Sequence, residues 1–279
     1  MLRSISPIDG RYASKVSDLS AYFSEMALMR YRLVVEIEYF IELSLLPLIT
    51  EFPPLSKTNQ EKIRSIYRNF SEADAKEIKK IEKRTNHDVK AIEYFLQKQL
   101  KKKKLDKHLE FIHFALTSED VNNLSYSMMW ADAVSEVYRP LITEVHKEIY
   151  AFAKKYKNQP MLALTHGQTA TPTTVGKEFA VVAKRLERQI EQLKSHTLQG
   201  KFGGATGTWS AHMVAYPDVN WRAFAKRFIK KLGLEPNMVT IQIEPHDSLA
   251  ESYHLVSRIN TILLDFSRDV WMYISRGIF

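Results

Sequence analysis

Thr171-Pro172-Thr173-Thr174, followed by VGKEFAVVAKRLERQIEQL at residues 175–193, carries the pattern that decides the fold. Val175, Phe179, Val182, Leu186, Ile190 and Leu193 advance by 4, 3, 4, 4 and 3 residues, the period of a helix with one packed stripe. Thr171-Pro172 supplies an expected start, a hydroxyl cap with proline at the first helical position.

Upstream, no glycine lies between Gly10 and His166 and no proline between Pro54 and Pro140, so the principal helix breakers are missing from a long stretch. Ser71 to Asp74 and Thr85 to Asp88 both read as a hydroxyl cap with an acid three residues on. The second precedes Val89, Ile92, Phe95, Leu96 and Leu100, which predicts a helix from about residue 86 to 100 with the lysines of 101–104 at its solvated end. Thr117-Ser118-Glu119-Asp120 repeats the cap pattern, and Pro140 marks a kink or a new first turn.

Downstream, Gly200, Gly203, Gly204 and Gly207 predict a turn or small hairpin near 200–212, the one β element expected. Trp221–Leu232 reads as a basic amphipathic helix stopped by Gly233. Pro245 opens a last helix through Leu249, Tyr253, Val256, Leu263, Phe266 and Val270, with Gly277 and Ile278 able to serve as its C-cap. An all-α bundle follows, with a small N-terminal helical domain over 1–110 and a long-helix domain over 111–279.

The formal charge of +8 favours anionic partners without choosing among nucleic acid, an acidic membrane and a phosphorylated metabolite. The absence of cysteine excludes disulfides, thiolate metal sites and a cysteine nucleophile, and agrees with a cytoplasmic location. Residues 1–12 include Arg3, Asp9 and Arg11 and do not read as a signal peptide. Leu33–Ile49, the most apolar stretch, contains Glu36, Glu38 and Glu42, so no membrane span is expected.

His166, flanked by Thr165, Gly167 and Gln168, is the candidate for proton transfer, against the plainer alternative of a loop histidine bonded to backbone. Asn86, His87 and Asp88, like Thr117 and Ser118, are expected at helix starts, where free amides suit phosphate or carboxylate. Capping alone would explain Thr85, Asp88, Thr117 and Asp120. The glycine cluster fits neither phosphate-loop pattern, and His108 with His113 has no metal-ligand spacing, so no catalytic metal is expected.

Five segments occur in order: Ser6–Tyr12 (SPIDGRY), Thr85–Lys90 (TNHDVK), Thr117–Asn123 (TSEDVNN), Thr165–Pro172 (THGQTATP) and Gln242–Asp247 (QIEPHD). Together they resemble the adenylosuccinate lyases of bacterial type, in the fumarase/aspartase superfamily. Thr169 departs from that pattern, which usually has proline there. The resemblance implies a helical bundle of the fumarase/aspartase type and cofactor-free elimination of fumarate from adenylosuccinate, giving AMP. It implies the same reaction on succinyl-aminoimidazole-carboxamide ribotide (SAICAR to AICAR) in purine synthesis. It implies His166 as catalytic acid and Arg11, Tyr12, Asn86, His87, Asp88, Thr117, Ser118, Gln168 and Gln242 as substrate-binding residues.

Members of the family are homotetramers that carry a mobile loop of the form G-S-S-x-M-P-x-K-x-N-P with the serine base. No such segment occurs within these 279 residues. The expectation is a fragment or shortened chain that self-associates and is nearly inactive alone. The competing readings are a superfamily lyase acting on argininosuccinate, fumarate or aspartate, and a noncatalytic basic helical binder of nucleic acid. The latter draws on Trp221, Phe224 and Phe228 interleaved with the cations of 221–232.

Overall fold

In chain order the helices and strands are α1 (Ser20–Phe23), α2 (Glu25–Ser44), α3 (Lys57–Arg68), α4 (Glu72–Thr85), α5 (Asp88–Lys102), α6 (Ser118–Ala133), α7 (Arg139–Lys155), β1 (Pro160–Thr165) and β2 (Gln168–Thr174). They continue with α8 (Val175–Ser195), β3 (Gln199–Gly200), α9 (Ser210–Ala215), α10 (Trp221–Lys231), β4 (Glu235–Pro236) and α11 (Asp247–Ser275). These come from a computed structural model that describes residues 4–278, so Arg3 and Phe279 lie outside the described residues. The expected all-helical class holds.

The chain divides into two compact units, one of residues up to Ala133 with Leu198–His246, the other of Val134–Thr197 with the chain from Asp247 onward. This division differs from the expected 1–110 and 111–279. Residue 110 falls inside the first unit, where Phe111 stacks on Phe52 at 4.8 Å between ring centres.

In the first unit α2 is buried nearly all round and runs through the core, packing on α3, α5 and α6. Its acids, which argued against a membrane span, are neutralised inside the protein. Glu38 accepts two hydrogen bonds from Arg64, at 2.7 and 3.0 Å, and pairs with Lys231 at 2.7 Å. Trp221, Phe224 and Phe228 of α10 are buried and meet Tyr39 and Phe202 in an aromatic cluster. The aromatics of the basic helix are therefore core side chains and offer no stacking platform for bases.

Helix ends follow the sequence in part. Ser71 and Asp74 form the expected capping box at α4. Thr85 does not cap α5: it is the last residue of α4, and its hydroxyl is spent on the carbonyls of Ile81, Glu82 and His87. The cap of α5 is His87, whose Nδ1 accepts from the Lys90 N–H at 3.1 Å.

In the second unit the stripe Val175, Phe179, Val182, Leu186, Ile190 and Leu193 is buried, packing α8 on α7 and α11. Thr171-Pro172 is not its start. Both residues lie in β2, and Thr174 caps α8 by accepting from the Lys177 N–H at 3.1 Å. The hairpin expected near 200–212 lies instead at β1 and β2, which pair antiparallel from Pro160↔Thr174 to Thr165↔Gln168. Gln199–Gly200 pairs in parallel with Glu235–Pro236, and the rest of the glycine cluster is a 3-10 turn leading to α9. A π-helical turn at Val134–Tyr138 precedes Pro140 in the first turn of α7, the expected break.

The last helix begins at Asp247, two residues after Pro245, and buries Leu255, Ile259 and Ile262, whereas Tyr253 of the expected stripe is exposed. At its end Ile278 N–H reaches Tyr273 O and Gly277 N–H reaches Ile274 O, with Gly277 at φ +67°, a Schellman cap. No helix among the described residues is long and apolar enough to cross a membrane.

Buried titratable groups of the first unit give a pH dependence. His212 is enclosed by Phe202, Phe114 and Trp221, and burial brings its imidazole down to about 4 from the ordinary 6.5. Tyr39 donates its hydroxyl proton to Phe114 O, so Nε2 of neutral His212 is the donor to Tyr39 Oη at 3.2 Å. Burial would raise the Glu38 carboxyl, but Arg64 and Lys231 overcome it and bring the group down to about 2 from 4.5.

Both folded values lie below the unfolded ones. Stability from His212 is thus complete above pH 6.5 and lost as pH falls towards about 4, and that from Glu38 is lost from 4.5 towards 2. Urea unfolding is expected to weaken by on the order of 3 kcal/mol between pH 6.5 and 4 through His212. His212→Phe, which keeps the aromatic packing, should flatten that part of the profile; an unchanged slope in the variant would contradict the assignment.

Candidate functional site

His166 stands at the tip of the β1–β2 hairpin, a two-residue turn with His166 at φ +52° and Gly167 at φ +75° between the paired Thr165 and Gln168. Such a turn has positive φ at both positions and is favoured by Asn-Gly. A histidine in left-handed conformation is a costlier choice, the kind of local strain that collects at functional positions. His166 is exposed at the tip of this short hairpin, where it can meet a ligand. The Arg276 guanidinium lies 3.7 Å from where a Cβ on Gly167 would be, and lines with Phe152, Tyr156 and Leu164 a groove of about 740 Å³ beside the hairpin.

In the first unit Asn86 is the left-handed residue that ends α4, at φ +51°, and His87 begins α5. The two helices thus meet at this junction, which differs from the expected single helix start. Asp88, expected to bind substrate, has its carboxylate 2.6 Å from Nη2 of Arg32. Burial would raise that carboxyl, but the guanidinium beside it holds it below the usual range.

Ser118 starts α6, and Thr117 N–H donates to Asp120 Oδ2 at 2.9 Å. Asp120 is fully buried, and it also accepts from Lys201 Nζ at 2.8 Å and from the N–H groups of Gly203 and Gly204 at 2.9 and 3.0 Å. Asn123 closes the arrangement, accepting from Lys201 N–H at 2.8 Å and donating to Lys201 O at 3.0 Å. The glycine turn is thereby fastened to the start of α6.

A Cβ on Gly207 would lie 2.2 Å from Thr240 O, so this turn also abuts the segment leading to Gln242. Gln242 itself is exposed in a bend. His246 has its ring 3.6 Å from Glu119 Oε1 and 3.4 Å from Glu244 Oε2, and burial pushes the Glu119 carboxyl up. Arg11 and Tyr12 lie in an exposed turn closed by Tyr12 N–H on Pro7 O at 2.9 Å, the guanidinium 5.6 Å from the tyrosine ring centre.

Within the first unit the structure thus brings together residues 117–123, the glycine turn and the 240–246 segment, and links 86–88 to α6 through Arg32. His166 and Gln168 belong to the second unit. Sequence reasoning missed Arg32, Lys201 and the Glu119–His246 pair, whose partners lie far apart in the chain. His108 packs on Phe52 at 5.0 Å, and His113 Nδ1 is 2.5 Å from Glu36 Oε1, so both histidines have structural partners.

The chain is mainly helical and carries an exposed histidine at the tip of a hairpin. The sequence pattern of the lyase family matches residues 10–279, and the chain belongs to that family. Among its relatives, the adenylosuccinate lyase of Haemophilus influenzae is 47% identical over 279 residues, covering 100% of this chain and 61% of the relative. The adenylosuccinate lyase of Escherichia coli is 46% identical with the same coverage. This bears out the resemblance read from the ordered motifs, and the chain spans 61% of the length of these curated relatives. The fold is shared with β-carboxy-cis,cis-muconate cycloisomerase from Acinetobacter calcoaceticus, at a TM-score of 0.76 and 19% identity, over 95% of this chain and 59% of that one.

Proposed function

We propose that the protein carrying this chain is an adenylosuccinate lyase, eliminating fumarate from adenylosuccinate to leave AMP, and from SAICAR to leave AICAR. The observation that carries the reading is the 47% identity to adenylosuccinate lyase along the whole chain, with His166 on an exposed hairpin tip. In the reaction a base takes the proton from the carbon next to a carboxylate, and the developing charge spreads into that carboxylate. His166 then protonates the departing nitrogen. Histidine suits this step because it is the side chain best able to carry a proton near neutral pH.

Thr117, Ser118, Asn86 and His87 bind the substrate, a reading supported by the identity to adenylosuccinate lyase along the chain and, for Ser118 and His87, by their place at helix starts, which suit anionic groups. Gln168, Gln242, Arg11 and Tyr12 complete the set, and Asp88 contributes through its partner. No cofactor takes part in this chemistry. The protein is proposed to be cytoplasmic and to assemble as a homotetramer; Leu264, Trp271 and Ile274 on α11 are exposed apolar side chains suited to burial between subunits.

The relatives' shared name favours this substrate over argininosuccinate, fumarate or aspartate, and the buried aromatics of α10 disfavour a nucleic-acid binder. Fumarate release, compared between adenylosuccinate and argininosuccinate, tests the reading.

A further inference from the structure

The segments proposed to hold substrate at residues 86–88 and 117–123 are far apart in sequence, so something must set their relative register. Arg32, in the middle of α2, is buried and points its guanidinium at both. Nη2 is 2.6 Å from Asp88 Oδ2 and Nε is 2.9 Å from Asn122 Oδ1. A planar guanidinium fixes two acceptors in direction as well as distance, which a lysine ammonium does not. One turn further along α2, the fully buried Glu36 takes His113 Nδ1 at 2.5 Å, with His113 Nε2 3.8 Å from Glu93 Oε1. This second tie joins the same helices, α2 and α5, to the loop leading into Thr117.

We infer that Arg32 is a positioning residue for the proposed lyase reaction. It holds the Asn86-His87 junction and the Thr117-Ser118 helix start at the separation that the substrate requires, acting through Asp88 and Asn122 without touching substrate. The inference rests on the proposed function and adds to it a residue of α2. It also changes the part of Asp88, whose carboxylate serves Arg32 and not the ligand.

The test is a kinetic cycle in the protein carrying this chain, with fumarate release from adenylosuccinate as the assay. Arg32→Met is expected to raise KM about tenfold with kcat changed less than about threefold, the signature of lost binding geometry. Arg32→Lys, which keeps a cation for Asp88, should recover part of the loss. Asp88→Ala, which removes the acceptor but leaves the Asn122 bond, should share part of the loss, and the double variant should be no worse than Arg32→Met alone.

If Arg32→Met does not fold, Arg32→Lys with Asp88→Ala, at a side chain 51% exposed, completes the same cycle. Losses that multiply in the double variant, or a KM unchanged by Arg32→Met in an active enzyme, overturn the inference alone. A wild-type protein without fumarate release overturns the lyase reading and the inference with it.

Discussion

Replacing His166 with asparagine is expected to leave the fold intact and to lower fumarate release by about 10²–10⁴-fold, the range for loss of a general acid. The two halves of this result come from different physics. At φ +52° beside Gly167, position 166 asks for a residue tolerant of left-handed backbone, and Asn-Gly suits such a turn better than His-Gly. The hairpin should therefore survive, with a melting temperature unchanged or slightly higher. Asparagine has no proton to give near neutral pH, so the departing nitrogen must leave unprotonated. Activity within tenfold of wild type would remove His166 from the chemistry. A lower melting temperature with activity intact would make it a turn residue only.

Asp120→Ala is expected to be the most damaging single change to stability. Lys201 is fully buried, and its ammonium has Asp120 Oδ1 at 2.8 Å and Gly204 O at 3.0 Å. Removing the carboxylate leaves an uncompensated buried charge, which costs about 3–5 kcal/mol. The N–H groups of Thr117, Gly203 and Gly204 also lose their acceptor. Against a typical total of about 5–15 kcal/mol, the result is a fall in melting temperature of about 10 °C or more, or loss of folded protein. Asp120→Ala with Lys201→Met should recover much of this, because the buried charge is gone. A single variant that melts like wild type would show that Asp120 carries little.

The same residues show what the sequence could and could not disclose. The stripe from Val175 to Leu193 was legible because helical burial repeats every 3.6 residues, and each of its apolar positions is buried. The α10 face was legible for the same reason. The β1–β2 hairpin was not: Leu162 and Leu164 are exposed, as is most of the threonine-rich β2, so no buried face imposed an alternating pattern. Thr171-Pro172, a good helix start locally, was pulled into a strand by pairing with β1.

At the candidate site, Thr85 matched a capping pattern but sits at a helix end, because left-handed Asn86 terminates α4 and His87 supplies the unusual cap. Asp120 could be read as half of a capping box, and its Thr117 bond agrees. Its pairing with Lys201 could not, since the partners are joined only by the fold. Arg32 was hidden likewise: its acceptors come from two other helices, and no local spacing points to them.

Fumarate release from adenylosuccinate by the protein carrying this chain, followed beside release from argininosuccinate under the same conditions, tests the proposed function most directly. The lyase reading requires turnover of adenylosuccinate with AMP formed in equal amount and no turnover of argininosuccinate. Fumarate from argininosuccinate alone, or from neither substrate, would contradict it.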